Sequence, residues 1–193
     1  SQEEILIDVN TLAEGKPFCH LGNLVISPDN NLLIYALDTV GRRQYELFIL
    51  DLCSGLHIGK PIPNTSGAAA WASDSHTFFY VLKDHALRPF KVMRQTLDFQ
   101  SNVSIYEEKD EKFTVHVYSS KSRNFIYISS SSTLSDECRF VSADTPYAPF
   151  TVFQDRQEKL EYSISHHNDY FYINTNHNAT NFCIKRTPIN KTS

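Results

Sequence analysis

The sequence predicts an all-β fold, and within that class a β-propeller, on two observations. A tyrosine returns at Tyr35, Tyr80, Tyr127 and Tyr172, spaced 45, 47 and 45 residues apart, each closing a short apolar run. A period of that length marks stacked or radial repeats. Around each tyrosine the same order of segments recurs, and four strands in about 40–45 residues make one propeller blade.

The repeat divides the chain into a lead-in segment, 1–22, and four blade-like units, 23–67, 68–112, 113–158 and 159–193. Each unit opens on a segment expected at its inner edge: Leu24-Val25-Ile26, Ala68-Ala69-Ala70-Trp71, Phe113 to Tyr118, and Leu160 to Ile164. A polar turn follows, as Ser27 to Asn31, Ala72 to His76, Ser120 to Asn124 and His166-His167-Asn168-Asp169. Asn, Asp and Ser favour turns because their side chains bond the local backbone. The tyrosine strand comes next. A third strand is expected at Tyr45 to Leu50, Phe90 to Met93, Arg139 to Val141 and Phe182 to Lys185, where β-branched and aromatic residues dominate. Outer strands are readable at Val103 to Tyr106 and Phe150 to Phe153. A β-sandwich also gives alternating runs between turns, but it supplies no reason for a register that recurs at blade length. Helix-pair solenoids are not expected, because Ser, Asn and Asp interrupt the runs before three helical turns could form.

Composition fits a globular domain: 41% hydrophobic and 21% charged residues, with a net charge of −4. No basic stripe forms a footprint for nucleic acid, which is not expected as a partner. The densest charge run, Glu107 to Lys112, mixes both signs and reads as a solvated turn between two units. No apolar stretch reaches the roughly 18 residues of a membrane span, and Ser1-Gln2-Glu3-Glu4 lacks the basic start and apolar centre of a secretory signal. No membrane partner and a cytoplasmic location are therefore expected. Cys19, Cys53, Cys138 and Cys183 form no C-x-x-C pair and read as buried free thiols. Four glycosylation triplets, beginning at Asn64, Asn102, Asn178 and Asn190, read as chance in a chain rich in Ser and Asn.

A search for chemistry finds no G-x-S-x-G elbow, no H-E-x-x-H and no phosphate-cradling glycine loop. No catalytic residue, cofactor or metal site is expected. His166, His167 and His177 read as turn residues, not ligands. Asp29 and Asp74 recur at equivalent turn positions, where a carboxylate accepts backbone N–H bonds. The remaining candidates are Arg42 and Arg43, in the loop after the first tyrosine strand, with Arg88 at the corresponding place in the second unit. Loops joining blade strands crowd around the mouths of the central channel, where such charges can meet a peptide or a neighbouring domain.

Several stretches taken in order resemble the prolyl oligopeptidase family of serine peptidases, and within it the oligopeptidase B branch. They are Leu6 to Ala13, Ser27-Pro28-Asp29 leading to Tyr35-Ala36-Leu37-Asp38, Gly41 to Leu47, Ala70 to Ser75, Phe78 to Val81, Leu87 to Val92, and Ile105 to Asp110. Gln95-Thr96-Leu97-Asp98-Phe99 departs from the family, which usually carries a histidine followed by a Leu-Gly-Thr turn there. The resemblance implies about four blades of a seven-bladed propeller, cut at both ends, set over an α/β-hydrolase domain that is absent from this chain. It implies peptide substrates, cleavage after Arg or Lys by that domain, and a propeller that takes no part in the chemistry but restricts access by size. The alternatives are a free-standing propeller that binds a protein or peptide without catalysis, and a secreted propeller or sandwich glycosylated at the four triplets.

Overall fold

The computed structural model describes residues 3–192; Ser1 and Gln2 of the lead-in segment and Ser193 of the last unit lie outside the described residues. After one short helix, α1 (Val9–Ala13), every element is a strand: β1 (His20–Ile26), β2 (Leu32–Asp38), β3 (Tyr45–Asp51), β4 (Ile62–Trp71), β5 (Thr77–Lys83), β6 (Pro89–Thr96), β7 (Asn102–Glu107), β8 (Thr114–Ser119), β9 (Phe125–Ser131), β10 (Asp136–Ser142), β11 (Thr151–Val152), β12 (Tyr162–His167), β13 (Tyr170–Thr175) and β14 (Cys183–Pro188). All pairings are antiparallel between chain neighbours.

The ten-residue β4 serves two blades. Its first half pairs with β3 through Ile62 and Thr65, and its second half pairs with β5 through Ala69, Ala70 and Trp71. The change of partner falls where Asn64 (φ 59°) and Gly67 (φ 87°) adopt left-handed backbone. So β4 closes blade 1 at its outer edge and opens blade 2 at its inner edge. Blade 2 continues through β5, β6 and β7, blade 3 runs β8 to β11, and blade 4 has three strands, β12 to β14, among the described residues.

The second strands of blades 1 to 3 are buried on both faces, so they read as continuous apolar runs, not alternating ones. On β5, Phe78 and Tyr80 face blade 1 and pack with Ile34, Leu47 and Trp71. Phe79 and Val81 face blade 3 and pack with Val117, Ile126 and Ile128. Tyr127, Phe153, Tyr162 and Phe171 fill the gap between blades 3 and 4. The free face of blade 1, with Leu33, Tyr35 and Leu37, is covered by Ile7, Leu12 and Cys19 of the lead-in segment. Polar bonds register the blades: the Trp71 indole donates to the Val25 carbonyl (3.0 Å) across blades 1 and 2, and the Cys138 amide donates to the Tyr162 hydroxyl (2.8 Å) across blades 3 and 4.

Three expectations need correction. The fourth turn is not His166 to Asp169: both histidines belong to β12, and the turn is the pair Asn168-Asp169, with Asn168 in the left-handed region (φ 52°). The thiols are free, but only Cys138 is buried; Cys53 is exposed in a turn whose amides bond the Asp51 carboxylate. Finally, the run Glu107 to Lys112 is not simply solvated. Glu108 is 5% exposed and receives hydrogen bonds from Arg156 (2.5 Å), Ser130 (2.5 Å), Tyr106 (2.6 Å) and the Asp110 amide (3.0 Å). This bolts blade 2 to blade 3, with the Arg156 guanidinium lying over the Phe113 ring.

Burial alone would raise the Glu108 pKa, but these donors outweigh it and bring it down to about 2. A carboxylate with a folded pKa below its unfolded value, about 4.3, stabilises the fold fully above roughly pH 5 and loses that contribution as pH falls through the folded pKa. The expected size is about 3 kcal/mol. Wild type is therefore expected to exceed Glu108→Gln in unfolding free energy above pH 5, with the gap closing toward pH 2. Urea titrations of both proteins across that range read it directly, and a gap independent of pH would contradict the assignment. Phe79→Ala, at 0% exposure between blades 2 and 3, is expected to cost about 3–5 kcal/mol in the same measurement.

Candidate functional site: a cationic cleft beside the β2–β3 loop

The loop between β2 and β3 is organised by one buried carboxylate. Asp38, 2% exposed at the end of β2, accepts hydrogen bonds from the amides of Val40 (2.9 Å), Gly41 (3.0 Å) and Arg43 (2.7 Å). Gly41 (φ 82°) and Arg43 (φ 54°) take the left-handed backbone that lets the loop double back onto it. Burial works against the ionised form, yet the amides prevail and hold the Asp38 pKa below the usual carboxylate range. Three backbone donors take up most of its acceptor capacity, and no side chain forms an ion pair with it among the described residues. Arg42 and Arg43 are exposed, and neither guanidinium enters an ion pair among the described residues.

Lys83, at the end of β5, donates to the Arg43 carbonyl and so ties blade 2 to this loop. Desolvation lowers its pKa, with Asp38 opposing and Arg43 reinforcing the shift. The three cations line one side of a cleft of about 530 Å³ whose other walls include Tyr45, Ser66 and His116. A second hollow of about 360 Å³ shares those three residues and continues past Gly22 and Asn23 of β1. The wall depends on glycine at two points: a Cβ on Gly22 would stand 2.7 Å from the Tyr45 ring, and one on Gly67 3.1 Å from it. His116 on β8 reaches solvent but sits recessed in this wall, and the crowding lowers its pKa below the ordinary histidine value.

Arg88 is placed differently. Its Nε bonds Asp84 (3.0 Å), and its Nη atoms donate to the carbonyls of Phe113 (2.9 Å), Asp110 (3.1 Å) and Glu108 (3.3 Å). The left-handed residue of this second loop is Leu87 (φ 63°), not Arg88. Arg88 thus leaves the turn one residue later than Arg43 leaves the first, and points inward to staple the connection into blade 3.

No group of three or more His, Cys, Asp or Glu side chains suited to a metal ion occurs among the described residues. His166 is buried between Phe125 and Phe171, His167 is exposed, and His177 contacts Lys185 (3.2 Å). Asp29 and Asp74 bond their own turns, Asp74 accepting from the amides of His76 (2.9 Å) and Thr77 (2.7 Å). One pair was not legible in the sequence: Ser122 Oγ lies 2.7 Å from His166 Nδ1 across blades 3 and 4. It lacks what a nucleophile requires, since His166 is 6% exposed and its Nε2 has no partner. No signal links residues 44 positions apart on different blades.

The comparison with known proteins now bears on this geometry. A family model described as the prolyl oligopeptidase N-terminal β-propeller domain matches residues 1–193. The chain belongs to the prolyl oligopeptidase family. It is 37% identical over 195 residues to dipeptidyl aminopeptidase BI of Pseudoxanthomonas mexicana, covering 99% of this chain and 27% of that protein. It is 31% identical to Protease 2 of Moraxella lacunata, covering 99% and 28%. Oligopeptidase B from Leishmania major superimposes with a TM-score of 0.91 at 27% identity, over 98% of this chain and 28% of that one. The chain thus spans just over a quarter of the length of these relatives and corresponds to part of the propeller of prolyl oligopeptidase family members.

Asp38→Ala removes the acceptor of three amides in this propeller and is expected to destabilise it by about 2–3 kcal/mol. Chemical denaturation measures the loss; a change below about 0.5 kcal/mol, the size of an ordinary surface substitution, would show that the loop holds without its carboxylate.

Proposed function

We propose that this chain is the non-catalytic propeller portion of an oligopeptidase B-like serine peptidase that hydrolyses short peptides after Arg or Lys, and that it acts as a size filter. The observation that carries the reading is the unbroken family match along the whole chain together with the fit to oligopeptidase B of Leishmania major. The physical argument is steric. Sheets buried on both faces form stiff walls, and a channel bounded by such walls admits a flexible peptide but not a folded domain. The partner in this reading is an α/β-hydrolase domain of the same gene product that supplies a serine, aspartate and histidine, and the setting is the cytoplasm. No helix among the described residues is long and apolar enough to cross a membrane.

A second reading is favoured by the 37% identity to a protein named dipeptidyl aminopeptidase: release of dipeptides from a free N-terminus, with the propeller in the same filtering role.

The gene product in full is to be incubated with chromogenic peptides ending in Arg or Lys before the reporter, with blocked and with free N-termini. Turnover of the blocked peptides, abolished by a serine-directed inhibitor, is the expected result, with the 193-residue chain alone indistinguishable from buffer. Turnover restricted to free N-termini, two residues at a time, would replace the first reading by the second. No turnover by the full product would leave a binding propeller without catalysis, and turnover by the 193-residue chain would overturn its non-catalytic role.

A further inference from the structure

The chain carries a net charge of −4, yet one cleft bounded by the β2–β3 loop, the end of β5 and β8 gathers Arg42, Arg43 and Lys83 with no carboxylate in its lining. Asp38 is buried behind the loop, where it accepts from three backbone amides and acts electrostatically on Lys83. The two guanidiniums, unpaired among the described residues, project from a backbone fixed by those amides and by the Lys83 bond to the Arg43 carbonyl. Like charges held close together repel one another, so a cluster without a counter-charge favours an anion in the space between. Guanidinium matches a carboxylate through paired N–H···O bonds.

The cleft, about 530 Å³, has room for one or two amino-acid residues, and the hollow beyond Tyr45, Ser66 and His116 extends it along the inner strands. Those walls offer a phenol, a hydroxyl and an imidazole, groups that bond a peptide backbone. A small inorganic anion would leave them unused, whereas an extended chain ending in a carboxylate uses both parts.

We propose that the cleft of Arg42, Arg43 and Lys83 is a carboxylate-binding subsite that takes the C-terminal carboxylate of a peptide lying in the channel. This rests on the propeller serving a peptidase and adds a preference for peptides whose free C-terminus reaches the subsite. The filter is then selective for chain ends as well as for width.

The test uses the gene product in full and two peptides of identical sequence, one ending in a free carboxylate and one in a carboxamide. The free acid is expected to show a KM roughly tenfold lower than the amide, the scale of one charge-assisted contact. That difference is expected to disappear in the double variant Arg42→Ala, Arg43→Ala, to persist in the charge-matched control Lys60→Ala, Lys109→Ala, and to shrink as salt is raised from 50 to 500 mM. Equal KM values for the two peptides, or a difference that survives the double variant, overturns the subsite. If the product hydrolyses neither peptide, the peptidase reading fails by itself, and fluorescence anisotropy with the same two peptides, labelled at the N-terminus, decides the subsite. Tighter binding of the acid that is lost in the double variant upholds it; equal binding, or none, overturns it.

Discussion

Every sheet of this chain, apart from the free face of blade 4, must bury both of its faces, and the rest of the structure follows from that constraint. A two-sided sheet cannot be soluble alone, so Phe79 and Val81 require blade 3 just as Phe78 and Tyr80 require blade 1. At roughly 25 cal/mol per Å² of apolar surface, each such side chain contributes about 1.5–3 kcal/mol on burial. None of that is realised until a neighbouring blade is in place. Even the lead-in segment obeys this rule: no residue of α1 is fully buried, yet Leu12 of that helix and the flanking Ile7 and Cys19 pack onto blade 1. A stack with such internal dependence is stiff, and stiffness is what a channel wall needs.

The same constraint explains how the repeat was legible and where it misled. The tyrosine spacing reveals the blade period, but the tyrosines are not equivalent. Tyr35 and Tyr80 stand five residues after the left-handed turn residues Asn30 and Ser75, whereas Tyr127 and Tyr172 stand four after Arg123 and Asn168. Side chains alternate across a strand, so one residue of slip moves a side chain to the opposite face. Tyr80 accordingly packs toward the preceding blade and Tyr127 toward the following one. Either face accepts a tyrosine because both are core. Periodicity therefore survives in the sequence while register does not. For the same reason His166 could not be assigned from its neighbours: a polar pair beside Asn168-Asp169 reads as turn, and only the Phe125 and Phe171 rings against which His166 packs show it to be strand.

Charge was the least legible property. Glu107 to Lys112 looks like any solvated connection, and nothing near it in sequence announces that Glu108 is buried. Its partners Ser130 and Arg156 come 22 and 48 residues later, from a different blade. Burying one carboxylate is tolerable only because four donors converge on it, and removing the arginine would leave an unpaired charge in the interior. This bond and the Arg88 staple meet the same stretch, 107–113, where the chain crosses from the outer strand of blade 2 to the inner strand of blade 3. The ladder ends there with the Glu108 amide donating to the Phe90 carbonyl (2.8 Å), and side-chain bonds carry the connection onward.

Asp38 and Asp84 show how one device yields two outcomes. Both begin a loop between the second and third strands of a blade, and both use their carboxylate to organise it. In the second loop the acid also holds Arg88 Nε, and that guanidinium spends its remaining donors on carbonyls, so the loop ends neutral and closed. In the first, Arg43 itself occupies the left-handed position, and its amide, not its guanidinium, reaches Asp38. The carboxylate is then held by backbone amides, and neither guanidinium forms an ion pair among the described residues. A loop built only for stability would resemble the second. The first keeps the organising carboxylate but leaves the cations beside a cleft whose other walls carry Tyr45, Ser66 and His116. The sequence Gly41-Arg42-Arg43 shows that charge is present; only the amide bonds to Asp38 show that it is unspent.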